Sequence, residues 1–209
     1  MDLIKLNKIS GLINCPVSKE TLFGKKYKGV TEFISSKLKS RNKEVMLIFN
    51  KKLSVSPITT HIPIRKVSKN LNKKDIIYKI QTINKFYKKN LRKKVSFAIT
   101  GLNPHCYDSK KSSEEEKIIK PAINYLKKKK IKISGPFSAD SLFIKKKDKY
   151  DVVIGMYHDQ VLTPIKTLKG FNSVNVTIGL PCVRVSPDHG VASDITGKGK
   201  ANPKSLIES

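Results

Sequence analysis

Four histidines, His61, His105, His158 and His189, stand in the segments TTHIP, GLNPH, MYHDQ and SPDHG, among Gly, Pro, Thr and Asp and away from the lysine-rich stretches. His105 and His158 directly follow the apolar runs VSFAIT and DVVIGM, which read as strands. In open α/β sheets, ligands bind outside the carboxyl ends of the strands, so imidazoles at two such ends can converge, with His61 as a third donor from a loop. Three neutral imidazoles with an open coordination position would make a Lewis-acid site for a divalent ion. Each histidine also reads as a loop residue bonding its own surroundings. No HExxH or CxxC pattern decides between the two readings.

Other residues stand out by their setting. Lys166 and Arg184 lie within apolar segments, TPIKTL and PCVRVS. A cation there needs an anionic partner, which a substrate phosphate or carboxylate, or an internal salt bridge, would supply. Asp140 and Asp188 sit in the turn-rich segments GPFSAD and PDHG; they read as turn residues accepting from the backbone, or as orienters of a ligating histidine. Cys106, beside His105, lacks the base and orienter that a reactive thiol requires.

The elements that would position these groups alternate in type. Glu44 to Asn50, Val95 to Thr100, Asp151 to Met156 and Val174 to Ile178 read as strands. Asn72 to Tyr87 has near-helical spacing at Ile76, Ile77, Ile80, Ile83 and Phe86. Ser112 to Lys130 reads as a helix with Ser112 or Ser113 as N-cap; Glu114, Glu115 and Glu116 complement the dipole at one end and a lysine run does so at the other. Strands alternating with helices predict an α/β fold with a mostly parallel or mixed sheet.

Composition bounds the function classes. The 209 residues carry 43 Lys plus Arg against 16 Asp plus Glu, a formal charge of +27, which invites a nucleic-acid reading. Only Arg41, Arg65, Arg92 and Arg184 are arginines, however, and guanidinium is the group for planar recognition of phosphate and guanine. The lysines fall in runs such as Lys127 to Lys130, without the aromatic platform that single strands stack on. No specific nucleic-acid binding is therefore expected, only nonspecific attraction to polyanions at low salt. No apolar run is long enough to span a membrane, and the N-terminus has no evident secretory signal. Cys15, Cys106 and Cys182 are odd in number and widely spaced, which fits a reducing, cytoplasmic setting better than a disulfide framework.

The segments TTHIP, GLNPH, SGPFSADSLF, YDVVIGMYHDQ, GFNSVNVTIGLPCVRVSPDHG and ITGKGKANPKSLI resemble, in order and spacing, the 4-hydroxythreonine-4-phosphate dehydrogenases of pyridoxine biosynthesis, over nearly the whole chain. The resemblance implies a two-domain α/β/α fold like that of the isocitrate and isopropylmalate dehydrogenases, and a homodimer with its active site at the subunit interface. It implies NAD or NADP as cofactor, together with a divalent metal ion (zinc, magnesium, manganese or cobalt). By position, His61, His105 and His158 would be the metal ligands, with both subunits contributing to one site; Thr31, Lys166, Asn175 and Arg184 would bind substrate. It singles out no catalytic acid or base and no cofactor-binding residue in this chain. The implied reaction oxidises the 3-hydroxyl of 4-phosphooxy-L-threonine, and the resulting keto acid loses carbon dioxide.

Two departures accompany the resemblance. Family members have Gly-His-Thr-Glu-Phe where this chain has GVTEF, so Val30 replaces a histidine. They are also about half as long again, so the expected organisation is an incomplete first domain: a remnant over 1–28, a metal- and substrate-binding α/β domain over 29–196, and the start of a return to the first domain over 197–209. An inactive or substrate-shifted relative, or a basic nucleic-acid-binding protein, are the alternatives to the dehydrogenase reading.

Overall fold

A computed structural model describes residues 4, 6, 8–18, 21, 22, 24, 27, 30–38, 40, 43–106, 111–145 and 149–209. In chain order the elements are β1 (Gly11–Ile13), α1 (Val30–Lys37), β2 (Val45–Phe49), β3 (Ser54–Pro57), α2 (Val67–Asn70) and α3 (Lys73–Asn90). Next come β4 (Ser96–Thr100), a π-helical turn (Glu115–Ile119) leading into α4 (Lys120–Lys128), β5 (Lys132–Phe137), α5 (Ala139–Lys145), β6 (Val152–Gly155) and α6 (His158–Lys169). β7 (Val174–Ile178), β8 (Val183–Pro187) and α7 (Lys204–Ile207) complete the series. Strands and helices alternate as the sequence predicts, except where β2 leads straight to β3 and β7 to β8.

The chain divides into two compact units, residues 1–49 with 169–209, and residues 50–168. The segment 29–196 expected from the sequence takes in all of the second unit and three of the four strands of the first.

In the second unit the strands lie in the order β3-β6-β4-β5, and each neighbouring pair is parallel. Val55, Phe97, Ile99, Val152, Val153 and Ile154 are fully buried, as expected of strands covered on both faces. α3 begins where Asn72 accepts from the Asp75 N–H, a side-chain N-cap, and it buries Ile76, Ile80, Ile83 and Tyr87 at alternating spacings of four and three. Ile77 and Phe86, expected on the same stripe, are half-buried, and Tyr87 takes the inward position. Its hydroxyl donates to Ser54 Oγ at 2.9 Å, which ties α3 to the start of β3, and burial pushes its pKa up to about 12.

β5 corrects the reading of Gly135 to Phe137 as a turn. These residues continue the strand beside β4 across a register shift between Ala98 and Thr100. A Cβ on Gly135 would lie 2.4 Å from the Ile99 carbonyl oxygen, so the bulged strand passes where only glycine fits.

In the first unit the order is β1-β8-β7-β2, with β1 parallel to β8 and the other two pairs antiparallel. α7 docks on β8 through Ser205, whose hydroxyl donates to the Ser173 carbonyl and accepts from the Asp188 N–H.

Candidate functional site

The three histidines of the resemblance all belong to the second unit and all follow C-terminal ends of adjacent parallel strands: His61 after β3, His158 after β6 and His105 after β4. Strand polarity therefore delivers them to one edge of that sheet; the sequence predicts strand ends for His105 and His158 and leaves His61 to a loop.

Hydrogen bonds fix the loops that carry them. Beyond β3, the Ile58 N–H donates to Gly155 O at 2.8 Å, and the Thr59 N–H and hydroxyl both donate to Met156 O, at 3.1 and 2.8 Å. The loop after β3 is thus sewn to the loop after β6, and the rings of His61 and His158 stand 5.6 Å apart between centroids. His158 opens α6, and its Nδ1 lies 2.6 Å from Asp159 Oδ1. A proton on Nδ1 donated to that carboxylate leaves the Nε2 lone pair available for a metal.

Gln160 joins the second pair of strand ends. Its Oε1 accepts from the Met156 N–H at 2.7 Å and from Thr100 Oγ1 at 2.8 Å, while its Nε2 donates to Gly101 O at 2.8 Å. One amide thus holds the ends of β4 and β6 together. Gly155 makes room for this, since a Cβ there would come within 2.5 Å of Val161 and 3.2 Å of Gln160 Oε1. The sequence offered Gln160 only as part of MYHDQ; a glutamine in the first turn of an amphipathic helix carries no signal of such a role.

His105 is exposed and takes φ 52, followed by Cys106 at φ 58. The loop bends around Gly101, where a Cβ would lie 2.9 Å from Cys106 Sγ. Asp140, in the first turn of α5, is near enough for His105 to help lower its pKa, although the hydrogen bond from Ser138 Oγ is the larger cause. No group of three His, Cys, Asp or Glu positioned to hold a metal forms among the described residues. A single chain thus brings two of the three imidazoles, His61 and His158, together. That pair, with His158 Nδ1 beside the Asp159 carboxylate, fits the imidazole donors a divalent ion takes.

Lys166 lies two turns beyond His158 on α6, roughly 12 Å along the axis by helical rise, and is exposed. Ile165 beside it is buried while Lys166 itself is exposed, so its charge is not desolvated by the apolar segment that carries it.

Arg184, in the first unit, is by contrast desolvated. It is 6% exposed on β8, and burial lowers its pKa, opposed by the nearby Glu32. Its Nε donates to Asn14 Oδ1 at 2.7 Å, and its Nη1 lies 3.5 Å from both Thr31 Oγ1 and Thr177 Oγ1. Thr31 is the second residue of α1, so Val30, in the place of the family histidine, is the first. Asn175 and Thr177 alternate onto the same face of β7, and Thr177 pairs directly with Arg184. Asn175 Oδ1 is buried without a hydrogen-bond partner. Three of the four substrate-binding candidates, Thr31, Asn175 and Arg184, therefore share one face of this unit's sheet. Asn14, which anchors the guanidinium, was not foreseen; it becomes visible only through the parallel pairing of β1 with β8.

Asp188 and His189 are also in the first unit. The Asp188 N–H is held by Ser205, and His189 Nδ1 donates to Gly190 O at 2.9 Å with its ring edge-on to Phe171. His189 thus takes the local-bonding role that the sequence allowed for each histidine.

All 209 residues match the family described as Pyridoxal phosphate biosynthetic protein PdxA. A 4-hydroxythreonine-4-phosphate dehydrogenase from Sulfurihydrogenibium sp. (strain YO3AOP1) is 41% identical over 205 residues, which cover 96% of this chain and 63% of that protein. The crystal structure of 4-hydroxythreonine-4-phosphate dehydrogenase from Klebsiella pneumoniae superposes with a TM-score of 0.83 at 32% identity, covering 100% of this chain and 65% of that one. An isocitrate dehydrogenase from Methylococcus capsulatus shares the fold, with a TM-score of 0.57 at 15% identity. The chain spans a little under two thirds of the length of the first two.

Proposed function

This chain belongs to the family of the pyridoxal phosphate biosynthetic protein PdxA, and from that premise we propose that it is the metal- and substrate-binding part, centred on residues 29–196, of a 4-hydroxythreonine-4-phosphate dehydrogenase. The reaction is oxidation of 4-phosphooxy-L-threonine at its 3-hydroxyl with NAD or NADP as acceptor, followed by loss of the carboxylate as carbon dioxide. The reading rests on one observation above others: a buried guanidinium, a hydroxyl and an orphaned buried amide oxygen on one sheet face, Arg184, Thr31 and Asn175. A desolvated cation whose hydrogen bonds go to neutral groups is prepared for an anion, and a buried acceptor without a donor is prepared for a ligand's N–H or O–H.

Each residue then has a task. Arg184 binds an anionic group of the substrate, oriented by Asn14. Asn175 Oδ1 accepts from the substrate's ammonium or hydroxyl, Thr31 supplies a hydroxyl, and Lys166 adds positive charge for a second anionic group. His61, His105 and His158 hold the divalent ion, with the donors shared between the two copies of a homodimer. Asp159 keeps His158 in the tautomer that can ligate. When bound, the ion supplies a Lewis acid for the hydroxyl being oxidised and for the charge that develops during decarboxylation. No residue of this chain is assigned to the nicotinamide.

Val30 favours a second reading, a family member with a shifted substrate or no turnover, because valine can neither donate a hydrogen bond nor carry a proton. One experiment separates the two. The chain and its Val30→His variant are incubated with 4-phosphooxy-L-threonine, NAD+ or NADP+ and each of the four metals, and the reduced nicotinamide is followed by absorbance. Turnover by both supports the dehydrogenase, and turnover only by Val30→His supports the shifted relative. The absence of turnover and of calorimetric substrate binding in both overturns the proposal.

A further inference from the structure

Glu115 is the most deeply buried acid among the described residues, 1% exposed, and none of the tasks above uses it. From the sequence it is one of three glutamates that complement a helix dipole. In the structure its carboxylate turns inward and grips the loop that carries His105. Oε1 accepts from the Leu102 N–H at 2.8 Å and the Asn103 N–H at 2.9 Å, and Oε2 accepts from Asn103 Nδ2 at 3.1 Å.

Four further features converge on this contact. Glu115 is the first residue of the π-helical turn, a local widening of the helix that re-aims a side chain and is often found at functional sites. Gly101 passes so close that a Cβ on it would lie 3.0 Å from Glu115 Oε1. Beyond the gripped residues, His105 and Cys106 both hold positive φ, a costly backbone that persists only where its surroundings over-determine it. Glu114 adds to the grip, accepting from Asn103 Nδ2 at 3.0 Å and from Ser68 Oγ. A buried carboxylate that spends its acceptors on the backbone two and three residues before a strained histidine is placed to set where that imidazole points.

We propose that Glu115 is a positioning residue for His105, and that its carboxylate holds the loop 101–106 in the left-handed geometry from which His105 reaches the divalent ion. The metal part rests on the ligand assignment made above; the geometric part does not.

The test uses the full chain, free of metal, as wild type, Glu115→Ala and Glu115→Gln. Glutamine keeps an acceptor for the two backbone N–H groups and loses only the Asn103 side-chain contact. Two readouts are taken: the NMR signature of His105 (its HN–Hα coupling, which reports φ, and its imidazole Cε1–Hε1 signal), and the affinity for Co2+ by calorimetry. Glu115→Ala is expected to move the His105 signals and to weaken Co2+ binding by about tenfold or more, as loss of an outer support typically does, with most of both recovered in Glu115→Gln. If Glu115→Ala lowers the melting temperature but leaves the His105 signals and the Co2+ affinity as in wild type, the residue is merely structural and the proposal is overturned. Should Glu115→Ala not fold, Glu115→Asp, which keeps the charge but draws the carboxylate back from the Leu102 and Asn103 N–H groups by one methylene, is read in the same way. A wild-type chain that binds no Co2+ overturns the ligand assignment, while the NMR comparison still decides whether Glu115 sets His105.

Discussion

Arg184 and Lys166 looked alike in the sequence, each a cation among apolar neighbours, and the fold separates them. Side chains alternate along a strand but rotate around a helix. Arg184 on β8 is therefore carried inward, while Lys166 on α6 reaches solvent with Ile165 buried beside it. The consequence is testable at Arg184. Lysine would keep the charge but lose the fork that bonds Asn14 while presenting further donors to a ligand. On the proposed function, Arg184→Lys is expected to raise the KM for 4-phosphooxy-L-threonine at least about tenfold in steady-state kinetics, with divalent-metal affinity unchanged by calorimetry. The histidines were legible for the opposite reason. Their segments contrast with the lysine-rich background, and His105 and His158 directly follow apolar runs. Glu115 and Gln160 gave no such signal, because an acid in a run of three and a glutamine in a helix look the same whether they face solvent or clamp a loop.

Elements built from contiguous apolar residues were legible, and those built from hydrogen bonding were not. β2, β4, β6, β7 and α3 came from apolar blocks or helical spacing. β3 is SVSP, buried at all four positions, and it escapes such a reading because half of it is serine. Ser54 is satisfied by the Asn50 carbonyl and the Tyr87 hydroxyl, partners that composition does not reveal. β5 is interrupted by Gly135 and Pro136, β8 carries Arg184, and α6 contains Pro164. Two predictions belong at this scale. Asn72→Ala removes the N-cap of α3 and is expected to cost about 1 kcal/mol in denaturant unfolding. Asp151 begins the turn into β6 and accepts from the Ser96 N–H and hydroxyl at 2.8 Å each, with Lys93 at 2.5 Å. Burial alone would raise its pKa, but those bonds together hold it below the usual aspartate value. A depressed folded-state pKa means that its stabilisation is present above the unfolded value and is lost as pH falls through the folded one. The stability gap between wild type and Asp151→Asn should therefore be full near neutral pH and close below about pH 4, as measured by thermal unfolding across pH.

For the molecule as a whole, the charge of +27 is a property of its lysine surface rather than of the candidate site. A lysine-dominated surface attracts phosphate backbones without reading them, so affinity for duplex DNA should fall on the order of a thousandfold between low and moderate salt. His61→Ala and His158→Ala should leave that salt dependence unchanged in fluorescence titrations, whereas replacing Lys127 to Lys130 with glutamine should flatten it. The division of the chain has a different consequence, which concerns time. The second unit is a continuous stretch, residues 50–168, whereas the first is assembled from residues 1–49 and 169–209. On the ribosome β2 emerges early, but β7, with which it pairs from Val45 opposite Ile178 to Phe49 opposite Val174, is made only after the whole second unit. Until then the apolar edge VMLIF lacks that partner, in a nascent chain where exposed strands invite aggregation. Folding of the second unit during this interval replaces a long flexible loop with a compact body and lowers the entropic cost of the later pairing. Synthesis and assembly thus run in the same direction in one unit and against each other in the other.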